Sequence, residues 1–242
     1  MNALLHAIGF LTRIPVPTRV FADAAAAKRS LPFYPLVGLL IGALLCGLSW
    51  LLRDAPPLLA AAVLLLAWVG LTGALHLDGL ADSADAWVGG LGDRERTLAI
   101  MKDPRSGPMA VTAVVLLLLL KFAALASLPR DAWPLLLAAP LIGRAWPVLA
   151  FITTPYARGQ GMGSALTGAS RAGNMVALLL ALAVVVACGI AAWVGLAMSL
   201  LVFIGWRQAC MKRLGGFTGD TLGALVEMGE AAVLLALLFV IH

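Results

Sequence analysis

Apolar residues in this chain are gathered into blocks at 33–52, 58–75, 109–128, 133–152, 175–206 and 222–241. A bilayer core is crossed by about 20 apolar residues in a helix, and these blocks are built to that length. Only 12% of the residues are charged, against about 25% in soluble domains. A wet surface of ordinary size cannot be made from that. Disorder is excluded as well, because it needs low hydrophobicity. The expected fold is all-α: a polytopic transmembrane helical bundle filling 1–242 as a single integral membrane domain.

The run 175–206 exceeds one span. It is either one long helix or a hairpin turning near Gly189, and the basic residues decide between them. With a hairpin, the chain has about seven spans, near 33–52, 58–75, 109–128, 133–152, 172–189, 191–210 and 222–241. Arg13, Arg19, Lys28, Arg29, Arg94, Arg96, Lys102, Arg105, Arg158, Arg171, Arg207, Lys212 and Arg213 then share one side, with only Arg53 and Arg130 opposite. That asymmetry obeys the positive-inside rule. It places the N-terminus and the polar loops in the cytoplasm. The net charge of +5 is therefore read as topogenic, and no nucleic-acid partner is expected. Leu4, Leu5, Ile8 and Leu11 sit at helical spacing and suit a short interfacial helix. Cys46, Cys188 and Cys210 are scattered, which suggests neither a disulfide framework nor a thiolate metal site.

With 12 acidic residues in the chain, their placement carries information. Asp78, Asp82 and Asp85 follow His76 at i, i+4, i+7 spacing and share one helix face. No Lys or Arg lies between His76 and Asp93 to offset their repulsion. A divalent cation would offset it, and Mg²⁺ takes carboxylate and phosphate oxygens. A second set is Gly215-Gly216-Phe217-Thr218-Gly219-Asp220, followed by Glu227 and Glu230 on the same stripe. The glycines allow close backbone approach. Thr218 or Asp220 can cap the following helix. Glu230 lies about 15 Å along the helix from Asp220 at 1.5 Å per residue. Its alternative role is a pairing with Lys121 or Arg144 from a neighbouring span.

Two loops add cations and exposed backbone. Lys102-Asp103-Pro104-Arg105 offers two cations around a rigid turn, suited to phosphate oxygens, and Asp103 is available to a metal. Pro155-Tyr156-Ala157-Arg158-Gly159-Gln160-Gly161-Met162-Gly163 exposes backbone N–H groups that can cradle an anion. Carboxylates, cations and glycine loops on one face are the parts of metal-assisted phosphoryl transfer. The dispersed His6, His76 and His242 argue against a histidine zinc site.

Taken in order, the His76–Asp85 segment, Lys102-Asp103-Pro104-Arg105-Ser106-Gly107 and Gly215–Asp220 with Glu227 and Glu230 resemble the cobalamin synthase family. These are the adenosylcobinamide-GDP ribazoletransferases of the bacterial inner membrane. Phe10-Leu11-Thr12-Arg13-Ile14-Pro15-Val16-Pro17 and Pro155-Tyr156-Ala157-Arg158 add to the likeness, which covers nearly the whole chain. The resemblance implies two small-molecule substrates, adenosylcobinamide-GDP and α-ribazole or its 5′-phosphate. A ribazole hydroxyl attacks the phosphate on the cobinamide side chain and GMP leaves. It implies Mg²⁺ as cofactor, a lipid bilayer as surroundings, and leaves room for an oligomer. Carried onto these residues, Asp78, Asp82, Asp85 and Asp220 hold the metal. Substrate contacts fall to His76, Lys102, Arg105, Arg158, Gly161, Gly216 and Thr218, and Asp103 or Glu227 orients the hydroxyl. The alternatives are a CDP-alcohol-type membrane phosphotransferase and a cation-coupled transporter. Against the first, no Asp stands three residues before Asp78-Gly79 and the expected downstream Asp pair is absent. Against the second, most acids gather at the cytoplasmic mouth, not at the midplane.

Overall fold

The computed structural model describes residues 2–158 and 162–241, and eleven α-helices build that part of the chain. They are α1 (Asn2–Leu11), α2 (Ala24–Ser30), α3 (Tyr34–Leu51), α4 (Pro57–Thr72), α5 (Leu75–Gly89), α6 (Arg94–Ile100), α7 (Pro108–Ser127), α8 (Ala138–Thr153), α9 (Arg171–Ala187), α10 (Ile190–Leu214) and α11 (Gly219–Ile241). Local chemistry sets several starts. Asp23 accepts hydrogen bonds from Ala25 and Ala26 N–H at the head of α2, and Ser170 caps α9 through Gly173 N–H. Pro57 and Pro108 stand in the first turns of α4 and α7, where a missing N–H costs nothing.

Helices occupy most of each expected span, but 58–75 is interrupted at Gly73 and Ala74, and the lengths do not give seven full crossings. Five helical stretches are long and apolar enough: Ala24–Leu51, Pro108–Ser127, Asp131–Thr153, Ile190–Leu214 and Gly219–Val240. The pair α4 and α5 makes a sixth only as a broken span, bent by 87°. The cause of the bend is local. Gly73 (φ +62°) and Ala74 (φ +58°) are consecutive left-handed residues, and a non-glycine residue there costs about 1–2 kcal/mol. Helix α9 has 17 residues and ends before Gly189, whose φ of +83° breaks the long run into α9 and α10.

Helix α11 is the hub, packed against α5, α7, α8 and α10, while α3 lies along α8. Leu225, Val226, Val233 and Leu237 of α11 are fully buried. The outer faces stay apolar: Leu116 is 61% exposed, Leu179 61% and Leu201 63%. Exposed leucine on that scale is at home in lipid and out of place in water.

Helices α5 and α11 meet backbone to backbone at Gly79 and Gly223. A methyl group on Gly79 would sit 2.7 Å from the Asp220 carbonyl oxygen and 3.2 Å from Gly223 Cα. Small residues at such a crossing let membrane helices close in. We expect Gly79→Val to cost about 1–3 kcal/mol, the usual penalty of overpacking. Gly47→Val, where nothing lies within 4 Å, is the near-neutral control in the same detergent melt.

Candidate active site

The Gly79–Gly223 crossing brings two acidic helix ends together at the polar end of the bundle. Asp78 of α5 and Asp220 of α11 both line a cavity of about 330 Å³. A third element reaches them from the loop after α8. Phe217 N–H donates to the Pro155 carbonyl (3.0 Å), and Ala157 N–H donates to the Phe217 carbonyl (2.7 Å). Arg94 clamps this junction, donating from Nε to the Leu214 carbonyl at 2.9 Å and from Nη2 to the Ala157 carbonyl at 3.3 Å. Arg158 is thereby held 2.8 Å from Asp220 as an ion pair, with side chains 15% and 22% exposed. Its Nε and Nη2 are buried and have no hydrogen-bond partner among the described residues. A guanidinium with one anion bound and two free N–H donors is a fork prepared for phosphate or carboxylate.

Asp82 stands within electrostatic reach of Asp78, Asp85 and Asp220, opposed by Arg158. Asp85 is otherwise engaged. It accepts hydrogen bonds from Gly107 N–H (2.5 Å) and Ala110 N–H (3.0 Å), so both oxygens cap α7 from another helix. Among the described residues no three carboxylate, imidazole or thiol side chains converge as a ready-made metal site. The donor set that faces the cavity is Asp78 and Asp220. It suits an ion such as Mg²⁺, which takes one or two carboxylates and completes its shell with substrate phosphates and water.

The other sequence-predicted residues are dispersed. His76 lines the cavity, and its Nδ1 lies 3.4 Å from Arg144 Nη2. Thr218 and Gly216 are buried and do structural work at the turn. Thr221 N–H donates to the Thr218 hydroxyl and Thr218 N–H to the Thr221 hydroxyl, a reciprocal cap for α11, and Gly216 packs directly on the Pro155 carbonyl. Glu227 turns away from the cavity, 2.6 Å from Lys121 Nζ. Lys121 also pairs with Glu230 at 2.5 Å, and Glu230 in turn pairs with Arg144. The deep charges thus answer one another. The Lys102–Arg105 loop stands apart and exposed. Arg105 grips both oxygens of Asp103 at 3.0 and 2.7 Å, holding that carboxyl at about 2, where it is a weak base. Gly161 lies outside the described residues.

Tyr34, Phe151 and Tyr156 on the cavity wall were not singled out as site residues. Scarcity was the available signal: the chain has two tyrosines, and both face this cavity.

The fold and the site together define a polytopic helical membrane protein that brings its polar chemistry to one aromatic-walled cavity. Residues 3–238 match the model of the cobalamin-5-phosphate synthase family, and the chain belongs to that family. It is 53% identical over 239 residues to the adenosylcobinamide-GDP ribazoletransferase of Pseudomonas paraeruginosa, covering 98% of each chain. The proteins of the same name from Pseudomonas aeruginosa and Stutzerimonas stutzeri are 52% and 50% identical, again with 98% of each chain covered. No solved structure matches the chain.

Proposed function

We infer that this chain is an adenosylcobinamide-GDP ribazoletransferase of the bacterial inner membrane, with its cavity open to the cytoplasm. It joins α-ribazole, or its 5′-phosphate, to adenosylcobinamide-GDP and releases GMP. The observation that carries this reading is Arg158, a lining residue of the cavity ion-paired to Asp220, with two buried N–H donors that no described residue answers. Those donors match the pyrophosphate oxygens between cobinamide and guanosine.

The chemistry breaks one P–O bond of the pyrophosphate and forms one to the ribazole hydroxyl. The hydroxyl proton is released and GMP departs with the bonding pair. Arg158 binds the phosphoryl oxygens and offsets the charge that grows on them. Asp78, on the cavity wall, orients the attacking hydroxyl. That role passes from Asp103 and Glu227, whose carboxylates are held by Arg105 and Lys121 away from the cavity. Asp78 and Asp220, with Asp82 in electrostatic reach of both, would hold Mg²⁺, which would supply neutralisation of the phosphates. Asp85 is better read as the cap of α7 than as a ligand.

The deciding experiment mixes the purified protein in detergent with adenosylcobinamide-GDP, α-ribazole and Mg²⁺ and measures GMP. Release should need both substrates, stop with EDTA and resume with excess Mg²⁺. Absence of GMP with everything present refutes the assignment, and unchanged turnover in EDTA refutes the metal.

A further inference from the structure

A second chamber of about 350 Å³ opens beside the cavity, walled by Gly9, Thr12, Arg13, Thr72 and Gly73. It shares Phe10, Leu75 and Asp78 with the first cavity. We propose that this chamber receives the guanine nucleotide half of the donor, with Arg13 as its phosphate-binding residue; the assignment rests on the transferase reading.

Displacement at phosphorus needs the attacking and leaving oxygens roughly in line, so acceptor and leaving nucleotide lie on opposite sides of the reacting atom. Two chambers of ligand size, each above about 300 Å³, that meet at Asp78 meet this need. Their walls differ in kind. Tyr34, Phe151, Tyr156 and Leu166 give the first cavity aromatic and aliphatic faces that the second lacks, suited to the flat, apolar base of α-ribazole. Beyond the shared Phe10, Leu75 and Asp78, the second is walled by a turn, a threonine pair and a cation. Asp78 at the shared wall repels a bare anion, and Arg13 offsets that repulsion on the nucleotide side.

The chain break is shaped around Arg13. A Cβ on Gly73 would collide with the guanidinium, and the φ of +62° there also favours glycine. Arg13 N–H donates to the Leu71 carbonyl at 2.7 Å, fixing the backbone. Its guanidinium makes a long 3.4 Å hydrogen bond to the Gly73 carbonyl, which leaves donors for a ligand. The bend that turns α5 toward the site therefore also seats a cation at the chamber wall.

Full-length protein in detergent tests this through separate KM values for the two substrates and product inhibition by GMP. Arg13→Gln should raise the donor KM and the GMP inhibition constant about tenfold each, the effect of one charge-assisted contact. The α-ribazole KM should stay within about twofold, and Arg13→Lys should recover part of the loss. A folded Arg13→Gln protein with an unchanged GMP inhibition constant, or with the shift on α-ribazole, overturns the assignment. An azido-GMP photolabel on the wild type is independent of variant folding. Label at Gly9, Thr12, Arg13, Thr72 or Gly73, which line only the second chamber, supports the assignment, and label only elsewhere overturns it. A wild type that releases no GMP removes the transferase reading and this assignment together. Wild-type turnover with an indifferent Arg13 removes this assignment alone.

Discussion

A Glu230→Gln variant unfolds in detergent with about 3–5 kcal/mol less stability than the wild type, the usual cost of removing one partner from a buried ion pair. Glu230 is fully buried, with one oxygen 2.5 Å from Lys121 Nζ and the other paired with the fully buried Arg144. Glu227 completes the group, 2.6 Å from Lys121. Two cations and two anions balance inside the bundle. Glutamine keeps the shape of Glu230 but leaves one positive charge uncompensated where desolvation is most costly. Glu227→Gln should cost less, because Lys121 keeps Glu230. Lys121→Met combined with Glu230→Gln restores neutrality and should recover much of the loss. The double-mutant cycle reads that coupling directly. A Glu230→Gln protein that melts with the wild type would show that the cluster does not hold α7, α8 and α11 together.

The long apolar runs announced the helices, and the sign of the loop charges announced the break at Gly189. The alternative pairing of Glu230 with Lys121 or Arg144 was also readable, because a carboxylate that deep needs a cation; the structure gives it both. The α4–α5 bend was not legible. Gly73 is an ordinary signal, but Ala74 in a left-handed conformation has none, so the acidic helix face reads as continuing directly from the apolar span. Instead the chain breaks there and the acidic motif forms α5, turned by 87° from α4. Helical spacing put Asp78, Asp82 and Asp85 on one face, and it could not say that the N-terminus of α7 would occupy the last of them. That contact joins residues 22 and 25 positions apart. Arg13 gave no local signal either, because its chamber exists only once α1 meets the bend.

Arg158→Gln and Asp220→Asn should each lower kcat/KM for GMP release by at least about 100-fold, the lower range seen when one preorganised charge-stabilising donor is lost. The two groups act as one unit. Arg158 is held at 2.8 Å by Asp220, so removing the carboxylate frees the guanidinium to move, and removing the guanidinium leaves a partly buried carboxylate facing phosphate. The double variant should therefore be no worse than about the poorer single variant, as residues that work together are strongly non-additive. Stability should change little by comparison, because the pair sits at the polar end of the bundle and α11 keeps its Thr218–Thr221 cap. Arg158→Lys separates charge from geometry. Lysine restores a cation but not the two additional fork donors, so it should recover donor binding more than kcat. Full GMP release by Arg158→Gln, in a protein that melts with the wild type, would take the guanidinium out of the reaction. The pyrophosphate would then have to be placed elsewhere in the cavity, with Asp78 as the remaining fixed point.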